Sequence, residues 1–252
     1  MTVSVSKSQE YRDQIVRCAQ SLAIAKIETV SHDVDDRFTL DQVKMFVDGN
    51  LDKRYQKLLD QVELLNDAFD DLEDLVVDYV KTIPLAAYDT GCSDGTRFLQ
   101  WIAETRRPSL SQTDFINCQL CRNEIEDIAR AHRTAHVRFQ ELWSTADTLA
   151  GQLGENPSLS IFMNPVCIWS TFQSQALLDD DTPAPTRVLF FVAGSDIRTS
   201  VLEVSAQSLL SSLERLTPCS LDEWLADSPH TDRDDLMELC RDSAEMGIIA
   251  FG

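Results

Sequence analysis

Lysine is absent from this 252-residue chain after Lys81, and basic residues of any kind are scarce beyond position 150. Residues 151–252 hold 5 basic against 16 acidic side chains, or −11, and residues 1–150 hold 17 against 26, or −9, which together make the net charge of −20. A surface so depleted of cations repels phosphate backbones and anionic membranes and favours basic partners. No run of about 18 apolar residues occurs, which argues against a membrane-spanning helix. The opening MTVSVSKSQEYRDQ lacks the apolar stretch of a secretory signal. The seven cysteines are odd in number and follow no disulfide rhythm, so reduced thiols in a cytoplasmic protein are expected. Walker A and G-x-G-x-x-G loops are missing, as is the pair of Glu-x-x-His helices that a di-iron bundle requires. The aspartates Asp179–Asp181 lack EF-hand spacing and read as a solvated loop.

What is present is mostly helix, then a change of period. Ile15, Ala19, Leu22, Ala23, Ile27 and Val30 recur at helical spacing. Thr39-Leu-Asp-Gln42 has the form of a capping box for a short helix ending at Gly49. A single apolar stripe then runs from Leu51 through Leu58, Val62, Leu65 and Val76 to Val80, stopped before Pro84. A short helix follows Ser93, and the last of the set, starting near Ser111 or Thr113, is expected to continue to Gly151. Beyond Gly154-Glu-Asn-Pro157 the pattern turns β-prone: Ser160–Met163, Val166–Trp169 and Arg187–Val192, with Ala193-Gly-Ser-Asp196 as a hairpin turn into Ile197–Val204. Helices are expected over Ala206–Leu216, Leu221–Ala226 and Asp232–Met246, with Gly247 as the final C-cap. The fold class is therefore α followed by α+β. An all-helical domain, 1–152, precedes a winged-helix-like module, 153–252, of one three-stranded antiparallel sheet and three helices.

Two motifs invite chemistry and fail on geometry. Cys118-Gln-Leu-Cys121 with His132 and His136 resembles a zinc finger, but the residues between contain no turn former and read as unbroken helix. Along such a helix Cys121 and His132 stand roughly 16 Å apart, too far for one zinc ion. Cys118, Cys121, Ile125, Phe139 and Trp143 instead form one core-facing stripe, on which His132 and His136 lie as an i, i+4 pair. Gly91-Cys-Ser-Asp-Gly95 matches G-x-S-x-G, but that elbow needs a parallel sheet, and Ser93 reads better as a helix N-cap. No catalytic residue and no metal ligand is assigned.

The module can still hold a peptide. A free sheet edge beside a helix accepts an extended segment as an added strand. The edge is Ile197, Arg198, Thr199, Ser200, Val201 and Leu202, and the wall is the final helix through Leu236, Leu239, Cys240 and Ser243. The final helix carries six acids against two arginines over residues 232–246, which opposes DNA and predicts a peptide bearing lysine or arginine.

The strand-then-helix order of 158–252, with Leu221-Asp-Glu-Trp-Leu-Ala, Leu236–Leu239 and Glu245-Met-Gly-Ile-Ile249, resembles the PqqD-like recognition elements (RRE modules) of ribosomally made and modified peptide (RiPP) pathways. The helical half, through Ser93-Asp-Gly-Thr-Arg-Phe-Leu99 and Asn123-Glu-Ile-Glu-Asp-Ile-Ala129, is similar to the TglI-like partner proteins of multinuclear non-heme iron-dependent oxidases. The resemblance implies a non-catalytic accessory subunit in natural product biosynthesis. It would form a heterodimer with the oxidase, bind a precursor or carrier peptide and present a cysteine residue for oxidative modification. It implies no cofactor in this chain, iron in the partner oxidase, and no nucleic-acid or membrane partner. The alternative is a winged-helix regulatory protein acting through protein–protein contacts.

Overall fold

The computed structural model describes residues 40–83, 92–156 and 158–252. The expected helix over Ile15–Val30, together with Thr39, Pro84 and Gly91, lies outside them. The architecture is mixed α+β with the helices first, and the chain divides into two compact units at Ile116/Asn117. Among the described residues no helix is long and apolar enough to cross a membrane.

In the N-terminal unit, α1 (Leu40–Gln61) runs straight through Gly49 instead of stopping there. A mid-helix glycine costs only about 1 kcal/mol relative to alanine, which the surrounding helical register outweighs. The apolar stripe is broken after α1 by a single 3-10 turn (Glu63–Asp67) and resumes in α2 (Leu72–Thr82). Its residues Leu58, Val62, Leu65, Leu72 and Val76 are all buried. In α3 (Asp94–Thr105), Phe98, Leu99 and Ile102 complete this core. One buried cation is held inside it. Arg54 binds Asp94 through two nitrogens at 2.7 and 2.9 Å, donates to the Ile83 carbonyl at 2.7 Å, and Tyr79 Oη donates to Asp94 at 3.0 Å. Burial, then the Asp94 charge, pushes the Tyr79 phenol up to about 12.

The unit boundary falls inside α4 (Leu110–Ala131), well before the change of sequence pattern near 152. The cause is packing. Expected as one long helix to Gly151, the segment breaks at His132 and Ser144 into α4, α5 (Arg133–Trp143) and α6 (Ala146–Ala150). Both later helices join the core of the sheet-bearing unit. Trp143 Nε1 donates to the Ala244 carbonyl at 2.6 Å, and Ala146, Ala150 and Leu153 pack in one cluster with Ile249 and Phe251.

That unit contains two three-stranded antiparallel sheets where one was expected. In the first, β1 (Ser160–Met163) lies between β5 (Cys219–Ser220) and β6 (Ile249–Phe251). The second is a meander of β2 (Cys167–Phe172), β3 (Thr186–Ala193) and β4 (Asp196–Val201). Asn164 separates them. Fully buried, its side chain donates to the Val192 and Gly247 carbonyls at 2.8 and 2.9 Å and accepts from Val166 N–H at 2.9 Å. It turns the chain out of β1 and pins the second sheet to the end of the final helix.

The helices are α7 (Val204–Leu216), α8 (Leu221–Asp227) and α9 (Arg233–Met246). Ser220 and Glu223 form the capping box of α8, and Asp232 caps α9. Gly247 ends α9 at φ 89°, where a Cβ would sit 3.0 Å from Ala193 Cβ and 3.1 Å from the Trp143 ring, so the position needs glycine twice over. Trp224 is fully buried, its Nε1 donating to Ser212 Oγ at 2.8 Å.

Candidate docking groove

β4 lies at one edge of its sheet and, among the described residues, pairs only with β3. The two-residue loop Gly194–Ser195, with Gly194 at φ 68°, closes the hairpin between Ala193 and Asp196. Residues flanking such a loop form a hydrogen-bonded pair, and the pairs alternate from there. Asp196, Arg198 and Ser200 thus spend their backbone groups on Ala193, Phe191 and Leu189. The alternate residues Ile197, Thr199 and Val201 turn theirs outward. The opposite side of β3 agrees, because Val192, the partner of Ile197, donates instead toward β2 through Val166. The candidate edge therefore offers three N–H and three C=O groups in the spacing that an added strand takes up.

Beside the end of this edge lies a groove of about 950 Å3, whose lining includes Val201, Leu202 and Glu203, the start of α7, the loop after α8, and α9. Sequence periodicity placed Leu236, Leu239, Cys240 and Ser243 on the groove wall. Only Leu239 lines it; Leu236, Cys240 and Ser243 are fully buried. The reason is general for an amphipathic helix: the apolar stripe is what its own sheet covers. The groove receives the neighbouring stripe, Asp235, Glu238, Leu239, Asp242 and Met246. Spacings of three and four residues put these five on one line, a signal that charge could have supplied where apolar periodicity could not.

The groove combines an apolar floor with an acidic wall. Leu202, Leu209, Leu239 and Met246 are half-buried in it, Val201 is 43% exposed, and Val204 beside it is 78% exposed. Of the two basic residues lining it, Arg215 is held by Asp227 at 2.9 Å, and the other is His230. Glu203, Asp235, Glu238 and Asp242 meet no cation among the described residues.

The other candidates fall in structural places. Ser93 Oγ accepts from Thr96 N–H at 3.0 Å as the N-cap of α3. Cys118 and Cys121 are buried in α4. Burial pushes the Cys118 thiol up to about 11 and raises that of Cys121. Such thiols are poor nucleophiles. The helix is unbroken from Cys121 to Ala131, but the expected stripe is interrupted midway: His132 is exposed at the break, while His136 is half-buried with Gln140 2.9 Å away. Among the described residues no group of three or more His, Cys, Asp or Glu is placed to hold a metal ion. Compared with known proteins, the chain has no significant match to a family model, a curated protein or a solved structure.

Proposed function

We propose that this protein is a non-catalytic adaptor in the cytoplasm that captures a ribosomally made precursor or carrier peptide along β4. It then presents the peptide to a separate multinuclear non-heme iron oxidase for modification of a cysteine. The observation that carries the reading is the edge of β4, unpaired among the described residues, next to an open groove. Main-chain pairing supplies affinity there without regard to sequence, and the groove supplies choice. The succession β2–β3–β4 followed by α7, α8 and α9 is read as a winged-helix-like peptide recognition module. In this division of labour the N-terminal helices dock on the oxidase, which brings the iron. The adaptor contributes proximity by raising the effective concentration of the reacting cysteine.

The test is capture from lysate of the source organism with this protein as bait, in parallel with Val201→Pro. Recovery of a metal-bearing oxidase and a short peptide supports the proposal, with the peptide alone lost from the proline variant. Recovery of a transcription or signalling component in place of both overturns it in favour of a regulatory protein.

A further inference from the structure

We infer that the segment taken up along β4 carries lysine or arginine at alternate positions, i and i+2, aimed at Glu238 and Asp242, with apolar contact on Leu239 and Met246. This rests on the reading of β4 as a peptide-pairing edge and adds the chemistry of the occupant.

Three features of the groove argue for it. The first is spacing. Alternate side chains of a strand share one face about 6.7 Å apart. Glu238 and Asp242, one turn apart on α9, are separated by about 6 Å of helix rise. The repeat of two long basic side chains on one strand face is therefore close to that of two carboxylates one helical turn apart. The second is the composition of the stripe. Leu239 and Met246 lie in line with the acids, so the methylene stems of lysine or arginine find apolar cover while their charged heads reach the carboxylates. The third is charge balance. The groove has Arg215 tied to Asp227, while the carboxylates of the α9 stripe meet no cation among the described residues. An acidic segment or a nucleic acid would bring like charge to that wall. A second copy of this chain, at −20, would bring the same acidic wall with it and is disfavoured as the occupant.

The experiment uses the full chain and three labelled twelve-residue peptides. They share one alternating β-prone scaffold and carry Lys, Gln or Glu at two positions i and i+2. Fluorescence anisotropy is read at low salt and at high salt. Exposed ion pairs are individually weak, so the Lys peptide should bind about 5–10-fold tighter than the Gln peptide at low salt. The Glu peptide should be weakest. The Lys advantage should shrink to about 2-fold or less at high salt, and equally in Glu238→Gln/Asp242→Asn, whose two positions are exposed and outside the core. Val201→Pro, checked for folding by circular dichroism, should weaken the Lys and Gln peptides alike.

Equal binding of all three peptides, still sensitive to Val201→Pro, refutes the cationic preference and leaves the pairing edge standing. No binding of any peptide at millimolar concentration refutes the pairing edge as well. A Lys preference that survives Glu238→Gln/Asp242→Asn places the site elsewhere and overturns the inference. So does a concentration-dependent dimer in sedimentation that Val201→Pro abolishes, because the edge then belongs to a second copy.

Discussion

Two prolines placed one residue apart on β4 should have opposite consequences, and the difference tests the register before any ligand is known. Ser200 forms a hydrogen-bonded pair with Leu189, which is fully buried. Ser200→Pro removes the N–H that the Leu189 carbonyl accepts. The lost bond is worth about 1 kcal/mol, and the buried carbonyl left without a donor costs about 1–3 kcal/mol more. Val201 points its N–H away from β3, so Val201→Pro keeps the ladder, as edge-strand prolines do. With about 3 kcal/mol lost and roughly 3 °C per kcal/mol for a unit of this size, Ser200→Pro should melt about 9 °C below the parent. Val201→Pro should melt within about 2 °C of it. Thermal unfolding followed by circular dichroism at 218 nm reads both. The reverse order would show that the outward set is Asp196, Arg198 and Ser200, and equal melting temperatures would contradict the alternation; either result removes the pairing edge from the groove.

Asn164→Ala should be the costliest single truncation outside the apolar core. It removes the Asn164 donors from the buried Val192 and Gly247 carbonyls and the acceptor of Val166 N–H, for a loss of about 3–5 kcal/mol; urea denaturation checks this, and a loss under 1 kcal/mol would contradict the hub role. At pH 8 a thiol reagent should label Cys118, Cys121, Cys167, Cys219 and Cys240 only after denaturant is added, since burial raises all five, Cys167 and Cys240 to about 12. Mass spectrometry of the labelled peptides identifies them, and fast native labelling of Cys118 or Cys121 would reopen a reactive role for the C-x-x-C. Tyr79 is protonated in the fold up to about pH 12 but ionises near 10 once unfolded. The unfolded chain thus binds fewer protons in that window, and stability should fall as pH rises from 10 to 12. Tyr79→Phe should lose part of that alkaline fall, and an unchanged profile would argue against a raised Tyr79 phenol.

The parts of this fold that could be read from sequence are those set by local chemistry. Helix ends announced themselves through Ser93, Ser220 and Gly247 because a cap acts on its own turn. The β3–β4 hairpin followed from Gly194 between two β-prone runs. The features that escaped are set by partners distant in the chain. Asn164 before Pro165 looks like a turn residue, and nothing nearby reveals that Val192 and Gly247 complete its bonding. Nor does the pattern of 133–150 disclose that its helices pack with β6 and α9, since helical periodicity shows which face is apolar but not what covers it. Hence the expected border near 152 and the packed border at 116/117 differ.

The groove marks the same divide within a single helix. α9 presents two parallel stripes, Leu236–Cys240–Ser243 toward its own sheet and Asp235–Glu238–Asp242 toward the groove. Apolar periodicity finds the first stripe, which holds the fold together. It passes over the second, because a solvated acidic face and an acidic recognition wall are identical in sequence. In the proposed reading, the β4 edge, unpaired among the described residues, brings those carboxylates an occupant. A charge-neutralising substitution on the second stripe spares the core, whereas truncating Leu236 would empty it at a cost of about 2–5 kcal/mol. Loss of peptide binding in Leu236→Ala would therefore report on folding, and loss in Glu238→Gln/Asp242→Asn would report on recognition.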